Sequence, residues 1–134
     1  MEATFKRMLE NGLTVDANAI VQDSEVCETG KEPLCTPAVK LKLSLLCTPK
    51  NSAVRLETTA QYVSEQYSES ENRKDEGIDA YATVDLKAVK PFKIKALAAE
   101  WFVHIENLFD ADFEVHYGYP DDGIRFVSGL NLIF

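Results

Sequence analysis

The stretch IDAYATVDLKAVK, residues 78–90, decides the fold. Ala80, Ala82, Val84, Leu86 and Ala88 share one parity, and Asp79, Tyr81, Thr83, Asp85 and Lys87 share the other. Successive side chains of a strand point to opposite faces, so this spacing yields one apolar and one polar surface. On a helix the same residues would mix around the cylinder.

The same period runs outward in both directions. Over Ala53–Glu65 the even set is Val54, Leu56, Thr58, Ala60 and Tyr62, opposite Arg55, Glu57, Thr59 and Gln61. Over Ala38–Cys47, Val39, Leu41, Leu43, Leu45 and Cys47 oppose Lys40, Lys42, Ser44 and Leu46. Over Gly12–Gln22, Leu13, Val15, Ala17, Ala19 and Val21 oppose Thr14, Asp16, Asn18, Ile20 and Gln22. Ala3, Phe5 and Leu9 give Glu2–Leu9 one apolar face. Gly123–Phe134 places Phe126, Leu130, Leu132 and Phe134 together. In Phe92–Glu106 the parity changes, with Ile94 and Ala96 on one and Leu97, Ala99, Trp101, Val103 and Ile105 on the other. A β-bulge near Ala96–Ala99 is the expectation there. The chain is thus read as one all-β unit, residues 1–134, an antiparallel meander of about seven strands. No segment holds apolar residues at i, i+3, i+4 and i+7 over three turns, so helix is excluded as the main element.

The connections alternate in length. Glu10-Asn11-Gly12, Thr48–Ser52 and Lys90-Pro91-Phe92 are short, with turn-forming residues. Asp23–Pro37, the charged Gln66–Gly77 and Asn107–Asp122 are long.

Composition bounds the function. With 14 Lys and Arg against 22 Asp and Glu, the net charge is −8, which argues against a nucleic-acid partner. Apolar runs reach only a few residues, as at Leu45–Cys47, so no transmembrane helix fits. A transmembrane strand needs only about 9–11 alternating residues and escapes that test. Met1-Glu2 opens no secretory signal, so the expectation is either a cytoplasmic protein or a piece whose signal lies upstream. Cys27, Cys35, Cys47, His104 and His116 form no zinc-ligand spacing. No Ser-His-Asp, Cys-His or paired-carboxylate set is arranged for catalysis, so no enzyme, cofactor or metal is expected. Asp110, Asp112, Glu114, Asp121 and Asp122 read as a solvated acidic loop in preference to a calcium site.

Alternation alone leaves two readings open. A soluble β-barrel or sandwich turns its apolar face inward and would bind a small hydrophobic ligand or a protein partner. A membrane barrel turns that face to lipid and its polar face to the lumen. Loop sorting favours the membrane barrel, whose periplasmic turns are short and external loops long. The mid-strand charges Lys40, Lys42, Arg55, Glu57, Asp85 and Lys87 suit an ion-paired wet lumen. Tyr62, Tyr67, Phe92, Trp101, Phe102, Phe109, Tyr117, Tyr119 and Phe126 lie mostly toward strand ends, where interface girdles fall.

The last 28 residues carry a resemblance. Glu106 with Asn107-Leu108-Phe109-Asp110 is similar to the ENLFD segment that ends the penultimate strand of TonB-dependent outer-membrane receptors. Tyr117-Gly118-Tyr119-Pro120, then Gly123-Ile124-Arg125-Phe126, resembles that family's GYP loop and its return into the closing strand. Gly129-Leu130 and the terminal Phe134 resemble its final GL…F. Upstream, Gln61–Tyr67 is similar to a YVGEQY strand end, and Glu2–Ile20 to the family's hairpin before it. Two departures stand out: Asp121-Asp122 precede Gly123 where the family has Pro, and Ser64 stands where Gly is usual. Each motif residue also has a local reason. Asn107 and Asp110 tolerate turn backbones and bond nearby main chain. Gly118 and Gly123 permit positive φ. Tyr119-Pro120 favours extended chain.

The resemblance implies the C-terminal segment of a transmembrane β-barrel of about 22 strands. The parent would sit in the outer membrane and take up a scarce nutrient, such as a ferric siderophore or cobalamin. Its partners would be the lipid bilayer, the remaining barrel and plug, and TonB acting through that plug. Seven strands cannot transport alone, and open edges invite curling, self-association or a need for detergent. A periplasmic C-terminus at Phe134 puts all three long loops outside. Cys27 and Cys35 then lie outside too, where the redox setting permits a loop disulfide.

Overall fold

A computed structural model describes residues 1–9, 12–49, 53–69, 72, 77–95 and 97–133. Expectations for Glu10-Asn11, Asn51, most of the charged loop at 70–76, Ala96 and Phe134 fall outside those residues.

The described residues are all-β. The strands are β1 (Glu2–Met8), β2 (Leu13–Val21), β3 (Val39–Cys47), β4 (Arg55–Val63), β5 (Gln66–Tyr67), β6 (Gly77–Ile78), β7 (Tyr81–Ile94), β8 (Leu97–Glu106), β9 (Glu114–His116), β10 (Tyr119–Pro120) and β11 (Arg125–Ile133). One seven-stranded sheet has the order β1-β2-β3-β4-β7-β8-β11, with every neighbouring pair antiparallel. This is the expected meander. The small ribbons β5–β6 and β9–β10 decorate two of the long connections.

The register keeps every strand's parity in phase with its neighbour's. Phe5 faces Ala17, Ala17 faces Leu43, Leu43 faces Ala60, and Ala60 faces Val84. Leu86 then faces Ile105, and Ile105 faces Phe126. A one-residue slip anywhere would place apolar residues among polar ones. Among the described residues, the apolar face carries two charged side chains, Arg7 and Lys90. The polar face collects Lys6, Asp16, Lys42, Glu57, Asp85, Lys87, His104, Glu106 and Arg125.

One turn differs from its expectation. Lys90-Pro91-Phe92 is not a turn; β7 runs through it to Ile94 and reverses at Lys95, whose φ is 56°. Residues 97–99 pair without interruption against 94–92, so no bulge is present there. The parity change marks a hairpin reversal. Pro91 is tolerated because β4 pairs β7 only as far as Val89, leaving Pro91 a partner on one side alone. Short and long connections still alternate, and all three long ones leave from the same end of the sheet.

No second layer covers the apolar face among the described residues. Val63, Ile78, Val89 and Ala99 are the buried hydrophobic side chains, and Ile78 and Pro37 are the largest fully enclosed ones. Phe126 is 65 % exposed, Leu130 60 % and Phe5 55 %. A shallow depression of about 510 Å³ crosses this face between β1 and β7, bordered by Phe5, Leu41, Leu43 and Tyr62. Much of the enclosed volume lies instead at the loop end, where the long connections fold back over the polar face.

Candidate functional site

The loop end is built by main-chain clasps. At the exit of β8, Asn107 adopts a φ of 50° and is 4 % exposed. Its Oδ1 accepts from the Ala111 N–H at 2.9 Å, and its Nδ2 donates to the Ala111 carbonyl at 2.9 Å. Its own N–H donates to Asp85 Oδ1 at 3.0 Å, tying the exit to β7. Asp110, with φ 53°, donates its N–H to the Asn107 carbonyl at 2.9 Å and accepts at Oδ1 from the Ile124 N–H at 3.2 Å. The turn-forming roles expected of Asn107 and Asp110 are thus both seen. Leu108 donates its N–H to the Val84 carbonyl, while Phe109 is 74 % exposed.

The rest of the motif closes the loop. Tyr117 and Gly118 make the turn between β9 and β10, with Gly118 at φ 78° and Tyr119-Pro120 extended. Gly118 donates its N–H to Glu114 Oε2 at 2.8 Å. Gly123 has φ 77°, which favours glycine, and a Cβ there would lie 2.6 Å from Asp110 Oδ1, so that carboxylate would have to shift. Asp121 Oδ2 accepts from the Gly123 N–H at 3.2 Å. Asp110, Glu114 and Asp121 therefore serve the loop's own backbone. Arg125 pairs with Glu106, and His104 Nδ1 lies 3.3 Å from Glu106 Oε1. Phe126 opens the apolar face of β11; Phe134 is outside the described residues.

Sequence reasoning missed several of these contacts. Phe113 stacks on Tyr81 with ring centroids 4.3 Å apart, pinning the last long loop over β7. Asn72 joins the other two long loops: its Oδ1 accepts from the Glu32 N–H at 2.8 Å and its Nδ2 donates to the Glu32 carbonyl at 3.1 Å. Ser64 accepts at Oγ from the Val39 N–H at 3.1 Å. Gly129 faces Phe102, and a Cβ on it would lie 2.8 Å from that ring. A glycine inside a strand was the available signal for that close approach.

Two expectations change. The loop disulfide is not formed: Cys27 and Cys35 are both free. Cys27 sits in the turn closed by the Val26–Lys31 bridge, whereas Cys35, at φ 50°, has its Sγ 3.9 Å from His116 Nδ1. The mid-strand charges are also less paired than a continuous ion-pair lining requires. Glu57 stands opposite Lys87, but Lys42 faces Gln61 and Asp85 faces Thr59. Lys87 Nζ lies 6.0 Å from the centroid of the Phe102 ring.

Among the described residues, three hollows lie on the polar face. The largest, about 400 Å³, lies at the loop end and is bordered by Lys40, Lys42, Gln61, Gln66, Tyr81 and His116. A second, about 290 Å³, has Asp85, Glu106, Asp121 and Arg125 in its wall. A third, about 230 Å³, has Lys42, Glu57, Asp85, Lys87 and His104. No family model matches the chain, and no curated protein matches it either.

Proposed function

We propose that this chain is the C-terminal barrel segment of a TonB-dependent outer-membrane receptor. In this reading the parent takes up a scarce nutrient, such as a ferric siderophore or cobalamin, and the segment contributes wall and external loops. Its apolar face meets lipid, its polar face lines the lumen, and β1 and β11 meet the parent's remaining strands. The plug, and TonB acting through it, belong to the rest of the parent.

The observation that carries the reading is the apolar face. Across all seven strands its charged side chains are Arg7 and Lys90, and no second layer packs on it among the described residues. Burial of apolar area is the main stabilising contribution to folding, at about 25 cal/mol per Å². A sheet this apolar on one side needs a nonaqueous neighbour. Both cations lie in the half of their strands nearer the short turns, where long side chains reach the headgroup layer. The sorted loops and the motif run from Asn107 to Phe126 support the same reading.

Purification settles the choice against a soluble β-barrel or sandwich. The full chain is expected to need detergent and to enter phosphatidylcholine vesicles on dilution from urea. A monodisperse, detergent-free monomer in sedimentation would overturn the reading.

A further inference from the structure

The loop-end cavity has an electrostatic character opposite to that of the chain. The sequence carries 22 Asp and Glu against 14 Lys and Arg, yet among the described residues no carboxylate borders this cavity. Lys40 and Lys42, two apart on β3 and so on one face, are both exposed toward it. Neither makes an ion pair among the described residues. The Gln61 and Gln66 amides, the Tyr81 hydroxyl and the His116 ring add hydrogen-bonding groups around them. The carboxylates of this face border the two neighbouring hollows: Asp85, Glu106 and Asp121 the one that shares Gln61, and Glu57 and Asp85 the one that shares Lys42.

We infer that this cavity binds a small anion presenting carboxylate or phosphate oxygens. Two ammonium groups on one strand face, without an ion pair among the described residues, supply the charge, and charge-assisted hydrogen bonds are the stronger kind. Amide and hydroxyl donors around them fix orientation, as in other ligand pockets of a few hundred Å³. The walls are held before any ligand arrives. Tyr81 is stacked on Phe113, His116 lies against Cys35, and Cys35 donates its N–H to the Tyr67 carbonyl at 2.8 Å. Preorganisation of this kind lowers the cost of binding. The inference does not depend on what covers the apolar face, because the cavity lies on the other side of the sheet.

The test is a titration of the full ¹⁵N-labelled chain, folded in a nonionic detergent, with citrate and with inorganic phosphate. Glucose and spermidine serve as neutral and cationic controls. Saturable shifts centred on Lys40, Lys42, Gln61 and Gln66 are expected with at least one anion and with neither control. Saturation by citrate alone assigns carboxylate chemistry, and by phosphate alone phosphate chemistry. K40Q/K42Q should weaken binding about tenfold or more, matching the loss of a charge-assisted contact. K40R/K42R should retain most of it, and K87Q, outside this cavity, should leave it unchanged. Retained strand circular dichroism confirms that each variant folds. The inference is overturned if neither anion saturates, if spermidine binds as well, or if folded K40Q/K42Q binds like the parent chain.

Discussion

Asn107 and Ala111 hold each other through two hydrogen bonds at 2.9 Å, one accepted and one donated by the same side-chain amide. The pair closes the exit of β8 while Asn107 itself occupies left-handed backbone and donates to Asp85. Asparagine is suited to all of this, since its amide bonds local main chain and it tolerates positive φ. Asn107→Ala removes both side-chain bonds and puts a Cβ residue without compensation at φ 50°. The expected loss is about 2–3 kcal/mol, from two bonds of about 1 kcal/mol each and a backbone cost of similar size. Asn107→Gly relieves the backbone cost only and should fall between. Urea unfolding of the two variants in one detergent checks the order; equal midpoints for Ala and the parent chain would remove the clasp from the account.

Gly123 and Asp110 form a second fixed pair. The glycine's positive φ and the 2.6 Å approach of Asp110 Oδ1 to its missing Cβ make alanine strained and crowded there. Gly123→Ala should displace the carboxylate from the Ile124 N–H and cost about 1–3 kcal/mol. In an Asp110→Ala background the same change should cost less, because the clash is gone and only the backbone strain remains. The difference between the two backgrounds, read as a double-mutant cycle, measures the coupling. Strict additivity would show that the two residues act independently.

The sheet was legible in the sequence and the loop architecture was not, for a physical reason. Strand parity is local: residues 78–90 report their two faces without reference to any neighbour, and the observed register joins those faces in phase. The turn after β7 was misplaced because Pro91 is a strong local turn signal. Its tolerance depends on β4 starting only at Arg55, opposite Val89, which no local window contains. Contacts such as Asn72 to Glu32, or Phe113 to Tyr81, join residues far apart in sequence. Asn107, Asp110, Gly118 and Gly123 were readable because their roles are set by their own φ and nearest backbone. The cationic cavity was hidden, since Lys40 and Lys42 read as an ordinary polar face until β9 brings His116 over them.

The two faces of the sheet should respond unequally to the same substitution. Leu43 lies mid-strand on the apolar face between Ala17 and Ala60, and Thr59 lies on the polar face between Ser44 and Asp85. In a bilayer, an arginine near the midplane of the lipid-facing side costs about 2–4 kcal/mol. Leu43→Arg should therefore sharply lower the folded yield in dilauroylphosphatidylcholine vesicles, while Thr59→Arg, beside Asp85, should leave it near the parent level. Protease protection after refolding reports the yield. Equal yields for both variants would contradict lipid contact at Leu43.

Trp101 gives a direct optical report on the same face. It is the chain's single tryptophan, stands opposite Lys90 and Leu130, and is 46 % exposed. Its indole Nε1–H donates to Ser128 Oγ at 3.0 Å, which satisfies the polar atom and leaves the ring apolar toward its surroundings. If that ring meets acyl chains, emission should move to shorter wavelength on transfer from urea into vesicles. Lipids brominated on the acyl chain should quench it, and acrylamide in the aqueous phase should quench it weakly. Trp101→Phe should abolish the signal without lowering the folded yield, since the ring packs on no second layer. Strong acrylamide quenching with no effect of brominated lipid would place this face in water, and the apolar side of the sheet would then require a protein partner.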